Sequence, residues 1–105
     1  MQTLRSMEFK GAIAEQYVLQ ELIASGKYTP YYFSGEKSTY EVDFLVQKGA
    51  DIVPIEVKSQ DNLKAKSLRF YCDKFAPALA VRTSAAKMRE QDWMVNIPLW
   101  AIAAL

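Results

Sequence analysis

The feature that most restricts the fold is a pair of apolar runs closed tightly about one glycine. They are EVDFLVQ at 41–47 and IVPIEVK at 52–58, joined through Lys48-Gly49-Ala50-Asp51. Alternating Val, Ile and Phe broken by a short glycine turn predict two antiparallel strands. A symmetric turn centred on Gly49-Ala50 pairs Gln47 with Ile52, sets Asp43 opposite Glu56, and sets Glu41 opposite Lys58. Side chains alternate along a strand, so Val42, Phe44 and Val46 share one face and Glu41, Asp43 and Leu45 the other. On the second strand Val53, Ile55 and Val57 face one way, Glu56 and Lys58 the other. Pro54 lacks a backbone donor and predicts an irregularity or an edge position.

Charge on such strands needs a reason. Cross-strand neighbours lie ~5 Å apart, and like charges at that separation destabilise the pair. Asp43 facing Glu56 would push one carboxyl pKa upward. A divalent cation between them removes the conflict, and a carboxylate pair completed by waters suits Mg²⁺. Lys58, on the same face as Glu56, reaches for a phosphate oxygen or the water that attacks it. These are the parts of metal-assisted phosphodiester hydrolysis. The plainer reading is a solvated strand face, with Glu41 and Lys58 as a cross-strand ion pair.

The remaining chain supplies the frame. A helix is expected from Ser6, as its cap, to about Ser25, with Gly26 as the stop and Ile13, Ala14, Tyr17, Val18 and Leu22 along one side. Glu15 borders that apolar arc, and Gly11, one turn earlier, leaves room beside its carboxylate. A short strand fits Tyr31–Ser34, followed by turn residues from Gly35 to Ser38. Ser59, Asp61 or Asn62 would cap a second helix reaching about Phe75, with Leu68, Tyr71, Cys72 and Phe75 inward and Pro77 as its end. Lys64 lies in line with Leu68 and Tyr71, where it can contact a phosphate beside the helix N-terminus or simply snorkel. ALAVRT reads as a further buried strand, Trp93–Val95 as an extended piece, and Pro98 as the first turn of a terminal helix. The order α-β-β-β-α-β predicts an α/β fold, one domain over 1–105 with a mixed central sheet flanked by helices.

Composition narrows the chemistry. The 105 residues contain no histidine, which removes Ser–His–Asp and Cys–His catalysis and histidine metal sites. A single cysteine, Cys72, forms no disulfide framework. The net charge of +1 is no basic footprint, although Asp61–Arg89 is locally rich in Lys and Arg. No apolar run has membrane-spanning length and no apolar leader opens the chain, so a cytoplasmic protein without a membrane partner is expected.

Glu15, Asp43 and Glu56-Val57-Lys58 together resemble the PD-(D/E)XK nuclease superfamily, whose restriction-endonuclease-like core has the αβββαβ order. More closely, KGAIAEQYVLQEL at 10–22, YYFSGEKSTYEVDFLV at 31–46, IVPIEVKS at 52–59 and NIPLWAI at 96–102 resemble the C-terminal domain of unknown function of bacterial and archaeal AAA-type ATPases. Val42 stands where the superfamily name has proline. The resemblance implies that Asp43, Glu56 and the Val57 carbonyl ligate Mg²⁺ or Mn²⁺. It implies that Lys58 orients water or stabilises charge at phosphorus, and that Glu15 acts through the metal or its waters. DNA is the implied substrate. With no GxxxxGK[ST] here, the resemblance also implies an ATPase domain attached N-terminally in a longer protein. A catalytically silent DNA-binding or regulatory module of such an ATPase is the alternative, and the oligomeric state is left open.

Overall fold

The apolar strands bury their side chains in one sheet that is covered by helices on both faces. A computed structural model describes residues 4–34, 41–59 and 65–105. The elements are helix α1 (Leu4–Ala24), strands β1 (Tyr31–Ser34), β2 (Glu41–Lys48) and β3 (Asp51–Val57), helix α2 (Lys66–Phe75), strands β4 (Val81–Ser84), β5 (Arg89–Glu90) and β6 (Val95–Pro98), and a 3-10 helix, Leu99–Ala104. The six strands form one sheet in the order β1-β2-β3-β4-β6-β5. The β1-β2-β3 part is antiparallel, β3-β4-β6 is parallel, and β5 returns antiparallel to β6. This is the mixed, helix-flanked α/β architecture the element order predicts.

Helix α1 and the 3-10 helix cover one face. Val18 and Leu22 pack there with Phe44, Val46, Val53, Ile55, Val81 and Ile102, all essentially inaccessible to water. Burying each such side chain is worth roughly 1.5–3 kcal/mol, so this layer fixes the sheet. Helix α2 covers the other face through Leu68 against Ala80 and Met94, and Tyr71 against Val42. Tyr28 Oη donates to the Leu105 carbonyl at 2.7 Å, tying the α1–β1 connection to the 3-10 helix. Among the described residues no helix is long and apolar enough to cross a membrane.

Several local expectations need correction. Helix α1 begins at Leu4, so Ser6 lies within its first turns rather than capping it. Gly26 does end it, with φ of 72°. Helix α2 begins only at Lys66, with Ala65 in the cap position and no side-chain cap. Ser59 therefore belongs to the connection, while Asp61, Asn62, Lys64 and the Gly35–Ser38 turn lie outside the described residues. Helix α2 stops before Pro77 through Ala76, whose left-handed φ of 48° lets its N–H bond the Cys72 carbonyl at 2.8 Å. Phe75, expected inward, is 48% exposed because the chain turns away after it; its ring closes the Phe33–Tyr71 cluster at the surface. The extended piece is β6, displaced to Val95–Pro98, and a further two-residue strand, β5, precedes it.

Pro54 is buried in β3, in register with Leu45. Hydrogen-bonded and non-hydrogen-bonded pairs alternate in an antiparallel ladder. The two-residue turn makes Lys48↔Asp51 and every second pair the bonded ones, so Leu45↔Pro54 is an unbonded pair. The missing N–H thus faces β4, which joins β3 only from Ile55 onward. An internal strand accommodates proline at that one position.

Candidate functional site

The expected register holds from the turn to Phe44↔Ile55, including Gln47↔Ile52. Gly49 has φ of 63° and Ala50 does not share its positive φ, the pattern of a type II′ hairpin turn with glycine first. Beyond Phe44 the strands part, because β2 must also satisfy β1. Between Tyr31↔Leu45 and Phe33↔Val42, β1 advances two residues and β2 three. Asp43 and Phe44 therefore both stand opposite Tyr32, a β-bulge. The face assignment changes as a result. Val42 packs with Leu45, Phe33 and Tyr71 on the α2 side, whereas Phe44 lies in the α1 core. The strict alternation expected for Glu41–Val46 fails at Asp43.

The bulge frees Asp43 to act as a backbone substitute. Asp43 Oδ2 accepts the Val57 amide hydrogen at 2.7 Å, on the side where a continued ladder would have offered a carbonyl of β2. A residue's N–H and C=O point the same way along a strand, so the Val57 carbonyl also looks toward β2 and Asp43. Lys58 N–H turns to β4 and bonds the Thr83 carbonyl at 2.9 Å. β3 is thus shared between two partners at the point where its charged residues begin.

Glu15 approaches from α1. Burial, then its hydrogen bond to Asp43 and the charges of Asp43 and Glu41, raise its pKa to about 7. Glu56, on β3, is buried and also raised to about 7. Burial is the main cause there; Lys58 and Arg82 oppose it and Asp43 adds to it. Glu56 Oε1 lies 3.8 Å from Lys58 Nζ, and Glu56 Oε2 is buried without a hydrogen-bond partner. Lys58 is paired with Glu56 rather than with Glu41, whose register partner is Ser34.

The carboxylates therefore stand in a chain rather than a cage. Glu15 touches Asp43, and Asp43 acts on Glu56, but among the described residues no group of three acids is placed to hold a metal. Asp43, Glu56 and the Val57 carbonyl are hard oxygen donors, and Glu56 Oε2 is an orphaned one. That set fits a dication that keeps several waters, as Mg²⁺ does, and not a site closed by protein alone.

Arg82 is a charged neighbour that the sequence reading passed over. It is buried on β4, in register with Glu56, and donates through Nε to Asn96 Oδ1 at 2.9 Å. Its signal was present: an arginine inside ALAVRT is as anomalous as a glutamate inside IVPIEVK. A cavity of ≈ 620 Å³ lies elsewhere, beside Cys72, Leu79 and Trp93, and includes none of Glu15, Asp43, Glu56 or Lys58. Burial raises the Cys72 thiol there, which makes it a poor nucleophile.

Residues 10–102 match the family described as a domain of unknown function (DUF4143). No curated protein matches the chain.

Proposed function

We propose that this chain, a member of the DUF4143 family of domains of unknown function, is a metal-dependent, nuclease-like domain that hydrolyses phosphodiester bonds of DNA. The observation that carries the reading is the parting of β2 and β3. There Asp43 replaces a backbone acceptor for Val57, and Glu56 is left with a buried, unpartnered oxygen beside Lys58. A purely structural hairpin would gain stability by continuing its ladder, because an unsatisfied buried carboxylate oxygen is costly.

Asp43, Glu56 and the Val57 carbonyl would hold Mg²⁺ or Mn²⁺, which supplies a Lewis acid and a water acidic enough to attack near neutral pH. Asp43 would be oriented by the Val57 amide, which donates to it, and by Glu15, whose acidity burial and Asp43 weaken. Lys58 keeps part of its side chain in water. Its ammonium lies beside Glu56 and would meet charge developing on a phosphate oxygen. The PD-(D/E)XK resemblance agrees with these roles, and the closer resemblance, to the C-terminal domain of AAA-type ATPases, agrees with attachment to such an ATPase.

The second reading is a catalytically silent DNA-binding or regulatory module of such an ATPase. What favours it is the absence, among the described residues, of a three-acid metal cluster.

Cleavage of supercoiled and linear DNA with Mg²⁺ or Mn²⁺ tests the choice. Lys58→Ala and Asp43→Asn should each lower the rate by about 100-fold or more, the scale for removing one group that meets transition-state charge. Equal rates in both variants and the wild type would sink the assigned residues. No cleavage of any DNA, with no heat on Mg²⁺ titration, would establish the silent module instead.

A further inference from the structure

Strands β3, β4 and β6 are parallel, so Lys58, the turn after Ser84 and the end of β6 leave the sheet along one edge. A polar row crosses four strands near that edge. Glu56 is in register with Arg82, Arg82 with Asn96, and Asn96 with Arg89 on β5. Directly opposed residues share a face of the sheet, so the row joins Glu56 to a cationic end.

Asn96 at its centre is 1% exposed, and its amide is fully used. Oδ1 accepts from Arg82 Nε at 2.9 Å and from Ser84 Oγ at 2.8 Å. Nδ2 donates to the carbonyls of Ala86 and Lys87, each at 3.1 Å. Ser84 Oγ also accepts the Ala86 amide hydrogen at 3.1 Å. A buried amide committed to one turn fixes that turn's backbone. What the turn presents outward is Lys87, Met88 and Arg89, all exposed. Among the described residues neither cation has a carboxylate within ion-pair distance. Arg89 instead stands close enough to Arg82 to add to the burial that disfavours charge there. Two exposed cations on a fixed turn, without a carboxylate partner among the described residues, can receive an anion.

We propose that the Ser84–Arg89 turn is a docking platform for the phosphate backbone of nucleic acid, with Lys87 and Arg89 as the contacting cations. The choice of nucleic acid rests on the reading of Asp43 and Glu56 as a DNA-directed site, since the cations lie in line with it along one sheet edge. A linear polyanion spans such an arrangement, whereas a bilayer would call for a broad basic face.

Binding of a fluorescein-labelled DNA duplex, followed by anisotropy in EDTA from 50 to 200 mM salt, tests the platform without cleavage. Lys87→Ala/Arg89→Ala should weaken binding several-fold and lower the salt slope by roughly 2, about one for each phosphate no longer neutralised. Lys48→Ala/Lys74→Ala removes the same charge at the opposite edge and should leave the slope intact. Three results would overturn the proposal: no wild-type binding, equal losses in the two pairs, or binding to phosphatidylserine vesicles in place of DNA. Wild-type binding that disappears with Lys87 and Arg89 but is unaccompanied by cleavage would remove the hydrolytic reading and leave the platform standing.

Discussion

The two ends of the β2–β3 hairpin obey different rules. Toward the turn, Lys48↔Asp51 through Phe44↔Ile55 form a regular ladder over an apolar layer. At the open end a bulge displaces Asp43, and a side chain takes over a backbone hydrogen bond. The first half is built for stability and the second gives some of it up. In a small domain, function is to be sought where regular pairing is abandoned although more residues are present to continue it.

The sharpest way to break this contrast is to truncate each end. Phe44→Ala, inside the buried layer, should cost about 3–5 kcal/mol in urea unfolding. Asp43→Ala should cost less, about 1–3 kcal/mol, by leaving the Val57 N–H without its acceptor. Asp43→Asn keeps an acceptor oxygen and should recover much of that loss without recovering cleavage. Equal stability of Asp43→Ala and the wild type would mean that the carboxylate does no structural work.

The turn end was legible in the sequence because everything that determines it is local: one glycine, a two-residue connection and strict alternation. The open end was not, because the bulge is imposed by β1, whose pairing with β2 no residue of the hairpin signals. Alternation put Val42 with Phe44 and Asp43 with Leu45, and both assignments failed for that one reason. Arg82 and Asn96 illustrate a second limit. Each is a lone polar residue in a short apolar strand, and only the parallel order β3-β4-β6 brings them into a row with Glu56. Parallel neighbours are joined by long crossovers, so no short-range pattern announces their register. Helix α2 shows a third: its hold on the sheet through Leu68 and Tyr71 outweighs the uncapped start at Ala65.

Proton linkage sharpens the contrast further. Glu15 and Glu56 are both raised to about 7 from 4.5, mainly by burial. A carboxyl that binds its proton more tightly when folded adds stability in full below its unfolded pKa, and loses it as pH rises through the folded value. The metal-free protein should therefore become less stable between about pH 4.5 and 7, and Glu56→Gln should flatten that slope. Mg²⁺ should restore more stability at pH 8 than at pH 5, because it binds the ionised carboxylates. A flat profile insensitive to Glu56→Gln would show that the open end carries no buried acid.

The smallest effects separate two glycines, one at each end. Gly49 holds φ of 63° in open space, so Gly49→Ala meets no clash but must enter the left-handed region, for about 1–2 kcal/mol. Gly11 was expected to leave room for Glu15. A Cβ built there meets only Ser59 Oγ, at 4.0 Å, an ordinary contact beside the connection that follows Lys58. Helical glycine is worse than alanine by roughly 0.5–1 kcal/mol, so Gly11→Ala should stabilise the fold by up to that amount. The two substitutions should then move the urea midpoint in opposite directions, the turn end losing and the open end gaining. A destabilised Gly11→Ala would restore the steric role. Stabilisation accompanied by loss of DNA cleavage would show instead that the space beside Glu15 is kept for the chemistry and not for the fold.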